Sequence, residues 1–273
     1  MRLQMYSKVI AALLVTSCLV GCTGPEQTVT TPETTLPLQT EATLPSVENS
    51  TPRQIVEAYA QMKGIPVESW PNHIIAMIGK NPEMIQYVLD YPFEYGKVHE
   101  IDMTEFAGTE RVPLFIQWDK RWGYLRYGAD LVGLTGCGPT CLSMAAFYLT
   151  QDPNMSPDKI VKFAIENKYL INGGGSSWQI VTEGAPKLGL EVKTLILSEY
   201  QLKKALEEGH PVICNMGPGI FTETGHYVVF VGAEDGKFRI NDPNSPEKSG
   251  KLWAFSDFKD QVRNWWAISL PES

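Results

Sequence analysis

The sequence predicts an α+β domain, and two observations carry that reading. Capped helical segments dominate as far as Gly209, and from Pro211 onward short apolar strands follow one another with turns between them. Helices first and strands afterwards is the pattern of an antiparallel sheet with helices segregated from it. The 273 residues, 43% hydrophobic and 20% charged, suffice for one medium domain with appendages. A net charge of −8 argues against nucleic acid as a partner, because phosphate binding requires a basic face.

Residues 1–22 read as a leader. Arg2 and Lys8 form a short basic start, and Val9 to Val20 is an apolar run too short to span a bilayer. Leu19-Val20-Gly21-Cys22 looks like a bacterial lipobox, in which Cys22 takes a diacylglycerol and becomes the mature N-terminus. That places the protein on the extracytoplasmic face of the membrane, held by several lipid chains. Residues 23–50 are rich in Thr, Pro and Glu and short of large apolar side chains, which reads as a disordered tether. With Cys18 lost and Cys22 lipidated, Cys137, Cys141 and Cys214 remain, an odd set that leaves at least one thiol free.

Order begins at Thr51. Thr51-Pro52-x-Gln54 is an N-cap, an N1 proline and a capping-box partner for a helix that Gly64 ends. A second helix is expected over Pro71–Ile78, and a third from Asn81-Pro82 to about Tyr91. These form a small helical subdomain, which with its connector spans 51–108; Trp70, Ile74, Ile75, Ile78, Ile85, Val88 and Leu89 point inward. His73 and His99 have no metal-ligand companion at useful spacing. Val112–Ile116 reads as a strand opening the main domain, 109–273. Further helices are expected from Ser156-Pro157 to Asn167, after Ser176-Ser177, and from Ser198 to Gly209, with a strand over Leu190–Ile196. The final strands are Pro211–Met216, His226–Val231, Lys237–Asn241, Lys251–Phe255 and Asn264–Leu270, the last two separated by a short helix from Ser256. Of Trp265-Trp266, one is expected to face inward and one outward.

The chemistry centres on Leu134–Thr150. A glycine turn delivers Cys137 to the first turn of a helix in which Pro139 is tolerated and Cys141, Met144, Ala145 and Tyr148 share one buried face. A thiol at a helix N-terminus sits at the positive end of the macrodipole, which favours its thiolate. Such a nucleophile needs a base and a group that orients the base. Among four histidines, His226 opens the apolar strand HYVVFV, and the next strand, KFRIND, ends in Asp242. A five-residue loop, Gly232–Gly236, would put His226 opposite Asp242 on one face. A two-residue Asp235-Gly236 turn would pair Val229 with Asp242 and send the histidine to the other face. The triad therefore predicts the longer loop. Gln117, upstream of the cysteine, is the candidate oxyanion donor.

The blocks IQWDKRWGY, GCGPTCLSM, GHYVVFVG and INDPN resemble, in this order, the cysteine peptidases similar to bacteriocin double-glycine leader peptidases, a papain-like family. The resemblance covers about residues 110–270. It implies a papain-like fold, a helical lobe carrying the cysteine helix packed on an antiparallel sheet. It also implies Cys137 as nucleophile, His226 as general base and acid, Asp242 orienting His226, and Gln117 in the oxyanion hole. Gly136, the GGGSSW stretch (Gly174, Ser176, Trp178) and the GPG loop (Gly217, Gly219, with Gly225) would line the substrate cleft. The dedicated leader peptidases are usually fused to an export transporter, and no membrane-spanning or ATPase segment appears in this sequence, so the substrate class stays open.

The expected function is hydrolysis of a peptide or isopeptide bond by a monomeric, membrane-anchored thiol peptidase without a cofactor, acting on a peptide or cell-wall peptide. Acyl transfer or peptidoglycan-stem cleavage with the same triad, and a non-catalytic surface binding lipoprotein, are the alternatives. A zinc site from Cys137, Cys141 and His226 names only three ligands, and Cys141 belongs to the apolar stripe, so no metal is expected. Cys214, inside PVICNM, reads as a buried core thiol.

Overall fold

The computed structural model describes residues 45 and 49–272. The leader, the lipidation of Cys22 and nearly all of the tether fall outside the described residues. Among the described residues, no helix is long and apolar enough to cross a membrane.

The first α-helix among the described residues is Pro52–Lys63. Thr51 and Gln54 form the reciprocal capping box, and Gly64 adopts a left-handed conformation (φ 66°) that closes the helix. The expected second helix is broken into two short ones, Asn72–Ile75 and Met77–Lys80. Asn81 then caps a 3-10 turn, Pro82–Met84, that leads into the helix Ile85–Glu94. Pro92 lies inside that last helix and has no N–H to give the carbonyl of Val88. The indole N–H of Trp70 donates to that carbonyl instead, at 2.8 Å. Trp70, Ile74, Ile75, Ile78, Val88 and Leu89 are buried, and Ile85 packs beside them partly exposed. Their core extends to Tyr124 and Leu131 of the following segment.

A small hairpin, β1 (Arg126–Tyr127) and β2 (Asp130–Leu131), precedes the central helix Cys137–Thr150. The central helix is buried all round from Gly138 to Phe147, rather than along the single face its spacing suggests, and Tyr148 is only partly buried. The reason is its position: the helix Pro157–Glu166, residues Val112–Trp122 and the sheet pack around it.

The main sheet contains β3 (Glu191–Thr194), β4 (Val212–Met216), β5 (His226–Glu234), β6 (Lys237–Asn241), β7 (Leu252–Trp253) and β8 (Val262–Ser269). Its order is β3-β8-β4-β5-β6-β7 and every pair is antiparallel. One face packs on the central helix; the other is covered by the helix Glu199–Glu207 and by Phe258 of the short helix Phe255–Phe258. The central strands are therefore covered on both faces, which is why β4 is buried at every position, while the edge strand β3 is largely exposed. The double cover also corrects the expectation for the tryptophan pair. β8 lies inside the sheet, so Trp266 fills the first core and Trp265 the second, and both are buried.

Two further expectations fail locally. Val112–Ile116 forms no strand and joins neither sheet. Pro113 has no N–H for a ladder, and the carbonyls of Val112 and Pro113 accept from the Asn241 side-chain amide, each at 3.1 Å. After the glycines, the expected helix forms but without its serine cap: Ser176 makes an isolated bridge with Leu170, and the helical run begins as a π-helical turn, Ile180–Gly184, continued by Ala185–Lys187.

Trp70→Phe keeps an aromatic ring but removes the pyrrole half of the buried indole and with it the donor to Val88, leaving a buried carbonyl unpaired and a small void. Denaturant unfolding should show a loss of about 1–3 kcal/mol. A change within about 0.5 kcal/mol would mean that the indole N–H hydrogen bond to Val88 contributes nothing measurable.

Candidate active site

The first turn of the central helix delivers Cys137, partly accessible, at a point where backbone N–H groups have no intrahelical partner. The approach is tight. A Cβ on Gly136 would lie 2.6 Å from Val132, and one on Gly138 would lie 2.6 Å from the Ser176 hydroxyl. Small residues on both sides thus let the turn fold under the thiol and let the 170–178 segment close against it.

His226 begins β5, paired with Met216 at the end of β4. It is 7% exposed, and Asp242, just past the end of β6, is 1% exposed. His226 Nε2 lies 2.7 Å from Asp242 Oδ1, which leaves Nδ1 for the thiol.

The β5–β6 connection is not the expected five-residue loop. Glu234 pairs with Lys237 across a two-residue turn, in which Asp235 and Gly236 both take positive φ (51° and 71°). Continued without interruption, that register would put Val229 opposite Asp242 and His226 on the wrong face. A β-bulge at Val231 prevents it. Gly232 pairs with Arg239, but Phe230 pairs with Ile240 and Val229 with Asn241. The extra residue moves the register by one, so Asp242 falls beside Val228, on His226's side of the strand, and the two meet diagonally. The predicted pair forms through a different turn from the predicted one.

Electrostatics follow from this geometry. Burial by itself would lower the His226 pKa, but the charge and hydrogen bond of Asp242, with the Cys137 thiol beyond, outweigh it and push it up to about 10. The second carboxylate oxygen of Asp242, Oδ2, is buried without a hydrogen-bond partner, so the carboxylate charge is answered chiefly by the imidazolium. Burial likewise pushes the Cys137 thiol up. Hydrogen bonding to His226, the charge of His226 and the backbone N–H groups of Tyr227 and Gly138 more than reverse it, and the thiol is held below its ordinary value. Cys141 and Cys214 behave oppositely: fully buried, both have their pKa values raised well above the ordinary thiol value. Cys141 belongs to the core, and among the described residues no three His, Cys, Asp or Glu side chains gather as a metal site.

Gln117 lies between the two halves of this arrangement. Its backbone N–H donates to the carbonyl of Pro243 (2.7 Å), one residue past Asp242. Its side-chain Nε2 donates to the carbonyl of Gly133 (2.9 Å), four residues before Cys137, and the residue is 3% exposed. One N–H of that amide is used as an anchor and the other is left to donate.

The remaining cleft candidates divide. Gly174 (φ 105°) abuts Thr135, and Trp178 is 50% exposed on the same segment. Ser176 is buried, its hydroxyl paired with Tyr127 at 2.6 Å and its carbonyl accepting from Tyr227, so it braces the site from behind. The loop from Gly217 to Gly225 joins β4 to His226 and is tied down by Gln261 and Arg263. Gly217 N–H donates to the Gln261 carbonyl (2.6 Å), Ile220 N–H to Gln261 Oε1 (2.7 Å), and Arg263 to the Thr224 carbonyl (3.1 Å). Tyr127, Gln261 and Arg263 carry no local sequence signal that marks them as neighbours of the site.

Residues 109–270 match the model of the Peptidase_C39 like family. The chain belongs to that family. Cys137, His226, Asp242 and Gln117 all lie within the C39-like region, and the helices of residues 52–94 lie outside it. Among solved structures, the peptidase domain of Streptococcus ComA, described as a bi-functional ABC transporter involved in a quorum sensing pathway, is similar at 22% identity. That alignment covers 59% of this chain and 99% of that one, with a TM-score of 0.41. A protein of Bacillus anthracis, provisionally described as a C39-like peptidase, matches at 16% identity over 60% of this chain and 100% of that one, with a TM-score of 0.38. No curated protein matches the chain significantly.

The three thiols should separate by reactivity. Near pH 6, roughly 2.5 units below the pKa of a free cysteine, iodoacetamide should alkylate Cys137 alone, with Cys141 and Cys214 modified only after unfolding, as read by peptide mass mapping. Asp242→Ala should slow that reaction at least about tenfold, one pKa unit in the thiol. An unchanged rate would remove Asp242 from the pair.

Proposed function

We propose that this C39-like chain is a cysteine peptidase that hydrolyses a peptide or isopeptide bond through a thioester on Cys137. The observation that carries the reading is His226, bonded to Asp242 on one side and set against the Cys137 thiol on the other, with its pKa raised to about 10. Between the lowered pKa of Cys137 and that raised value, the resting state is thiolate and imidazolium.

The thiolate attacks the carbonyl carbon, forming the C–S bond and moving the carbonyl electron pair onto oxygen. The Cys137 N–H and the second amide hydrogen of Gln117 are the donors for that oxyanion. As it collapses the C–N bond breaks, the leaving amine takes the proton from His226, and a thioester remains. His226, now neutral, takes a proton from water; the hydroxide adds to the thioester, the C–S bond breaks, and the acid leaves with the thiolate and imidazolium restored.

The substrate is a peptide or cell-wall peptide at the extracytoplasmic face of the membrane, where lipid on Cys22 holds the protein and residues 23–50 give the monomeric catalytic domain its reach. The lipobox and the composition of residues 23–50 support this part of the reading.

Cys137→Ala should abolish turnover and labelling by an acyl-thiol activity probe; equal labelling of that variant would overturn the assignment. Gln117→Ala should lower kcat about 10²–10³-fold while Cys137 is alkylated as fast as in wild type. Loss of alkylation in that variant would show that Gln117 builds the turn before Cys137 rather than stabilising the oxyanion.

The pH dependence follows from the signs of the two shifts. Activity rises as pH passes the lowered pKa of Cys137, because the thiolate must form. It falls as pH passes about 10, because His226 then has no proton for the leaving amine. A kcat/KM profile with its basic limb near the ordinary histidine value of about 6.5 would contradict the ion pair.

A further inference from the structure

The helices of residues 52–94 lie outside the family-matched region, yet their side chains reach into the loop that carries Asp242. Glu83, in the 3-10 turn Pro82–Met84, places one carboxylate oxygen to accept from the Ser245 hydroxyl and the other to accept from the Glu247 backbone N–H (2.9 Å). Asn81 donates to the Asn244 carbonyl at 2.8 Å, and its own Oδ1 accepts from the Glu83 N–H.

Those contacts continue to Asp242. Ser245 caps the short helix Pro246–Ser249 by accepting from the Lys248 N–H (3.1 Å). Ser249, at its end, donates to the Ser245 carbonyl (2.8 Å) and accepts from the Asp242 N–H (2.9 Å). The Asn244 N–H donates to Asp242 Oδ1, the same oxygen that meets His226. From the other side, Trp118 Nε1 donates to the Asn244 carbonyl and the Gln117 N–H to that of Pro243. The same helices also brace the chain before Cys137. Tyr87 donates to the Gly123 carbonyl (3.0 Å), and a Cβ on Gly133 would lie 2.6 Å from its ring.

We propose that Glu83 is a positioning residue for Asp242, and that the helices it belongs to are a structural part of the catalytic site. Held at Ser245 and Glu247, the 242–249 loop keeps Asp242 Oδ1 on His226. Released, it lets the carboxylate drift, and the imidazolium and with it the Cys137 thiolate become less favourable. The titratable groups packed on His226 are Asp242 and Cys137, with Cys141 behind them on the central helix; Glu83 meets the 246–249 helix at the backbone of Glu247, and the Lys248 ammonium lies over the Phe221 ring. Glu83 acts through two accepted hydrogen bonds.

The proposal rests on the peptidase reading only in taking Asp242 as the partner of His226, so its test uses no substrate. The alkylation rate of Cys137 is measured against pH on the full chain in detergent. Glu83→Ala should slow alkylation near pH 6 by about three- to tenfold, roughly half to one pKa unit in the thiol, and leave the rate unchanged near pH 10. Glu83→Gln can still accept from Glu247 and donate to Ser245, and should restore the wild-type profile to within about twofold, less than a third of a pKa unit. A Glu83→Ala profile that superimposes on wild type, or a Glu83→Gln profile as displaced as that of alanine, would overturn the proposal. If circular dichroism shows that Glu83→Ala has lost its fold, Ser245→Ala cuts the same link from the loop side and carries the same two outcomes. A wild-type thiol of ordinary reactivity would count against the peptidase reading instead.

Discussion

The buried hydrogen bond between His226 and Asp242 is the constraint around which the domain is arranged. Two polar side chains almost out of contact with water are tolerated only if each satisfies the other. The pairing requires the ends of two strands to present their side chains on a common side, which a continuous ladder from the Asp235-Gly236 turn would forbid. One extra residue, Val231, supplies the correction. The bulge is thus a register device for the site, and a deletion there would move Asp242 to the opposite face rather than merely shorten a strand.

Once Asp242 is placed, the remaining parts have fixed tasks. The carboxylate favours the imidazolium, and the imidazolium, with the N–H groups of Tyr227 and Gly138, favours the thiolate. Cys137 opens a helix whose next ten residues, Gly138–Phe147, are all buried, so the thiol is carried by an element packed on every side. Glycines at 136 and 138 leave room for Val132 and Ser176 to close against that turn. The 242–249 loop, pinned by residues on both of its sides, extends the same rigidity to the carboxylate.

Much of this was legible in the chain because it is written in local chemistry. The Thr51 capping box, the Gly64 stop and the N-terminal placement of Cys137 each depend on residues within one or two helical turns, and the structure bears them out. The four blocks bearing Gln117, Cys137, His226 and Asp242 signal the family, and the family match covers all of them. What was not legible depends on partners far away in sequence. Nothing near Pro113 announces that Asn241 will take its carbonyl and keep the segment out of the sheet. Nothing near Pro92 points to Trp70 as the donor to Val88, and nothing near Asn81 points to Asn244. The bulge at Val231 is not legible in the sequence, because hairpin length alone does not set the parity of the strand and a one-residue insertion leaves no compositional trace in an apolar run. One inward and one outward tryptophan is what a sheet covered on one face would give, whereas β8 is covered on both.

The central claim is that His226 rests as an imidazolium between Asp242 and the Cys137 thiolate. Histidine-selective nitrogen-15 labelling reads it directly, since a charged ring and either neutral tautomer have distinct nitrogen shifts. Across neutral pH, His226 should be protonated on both nitrogens up to about 10, and Cys137→Ala should lower that limit by removing the negative partner. A His226 spectrum of a neutral tautomer at pH 7, unchanged by Cys137→Ala, would contradict the account.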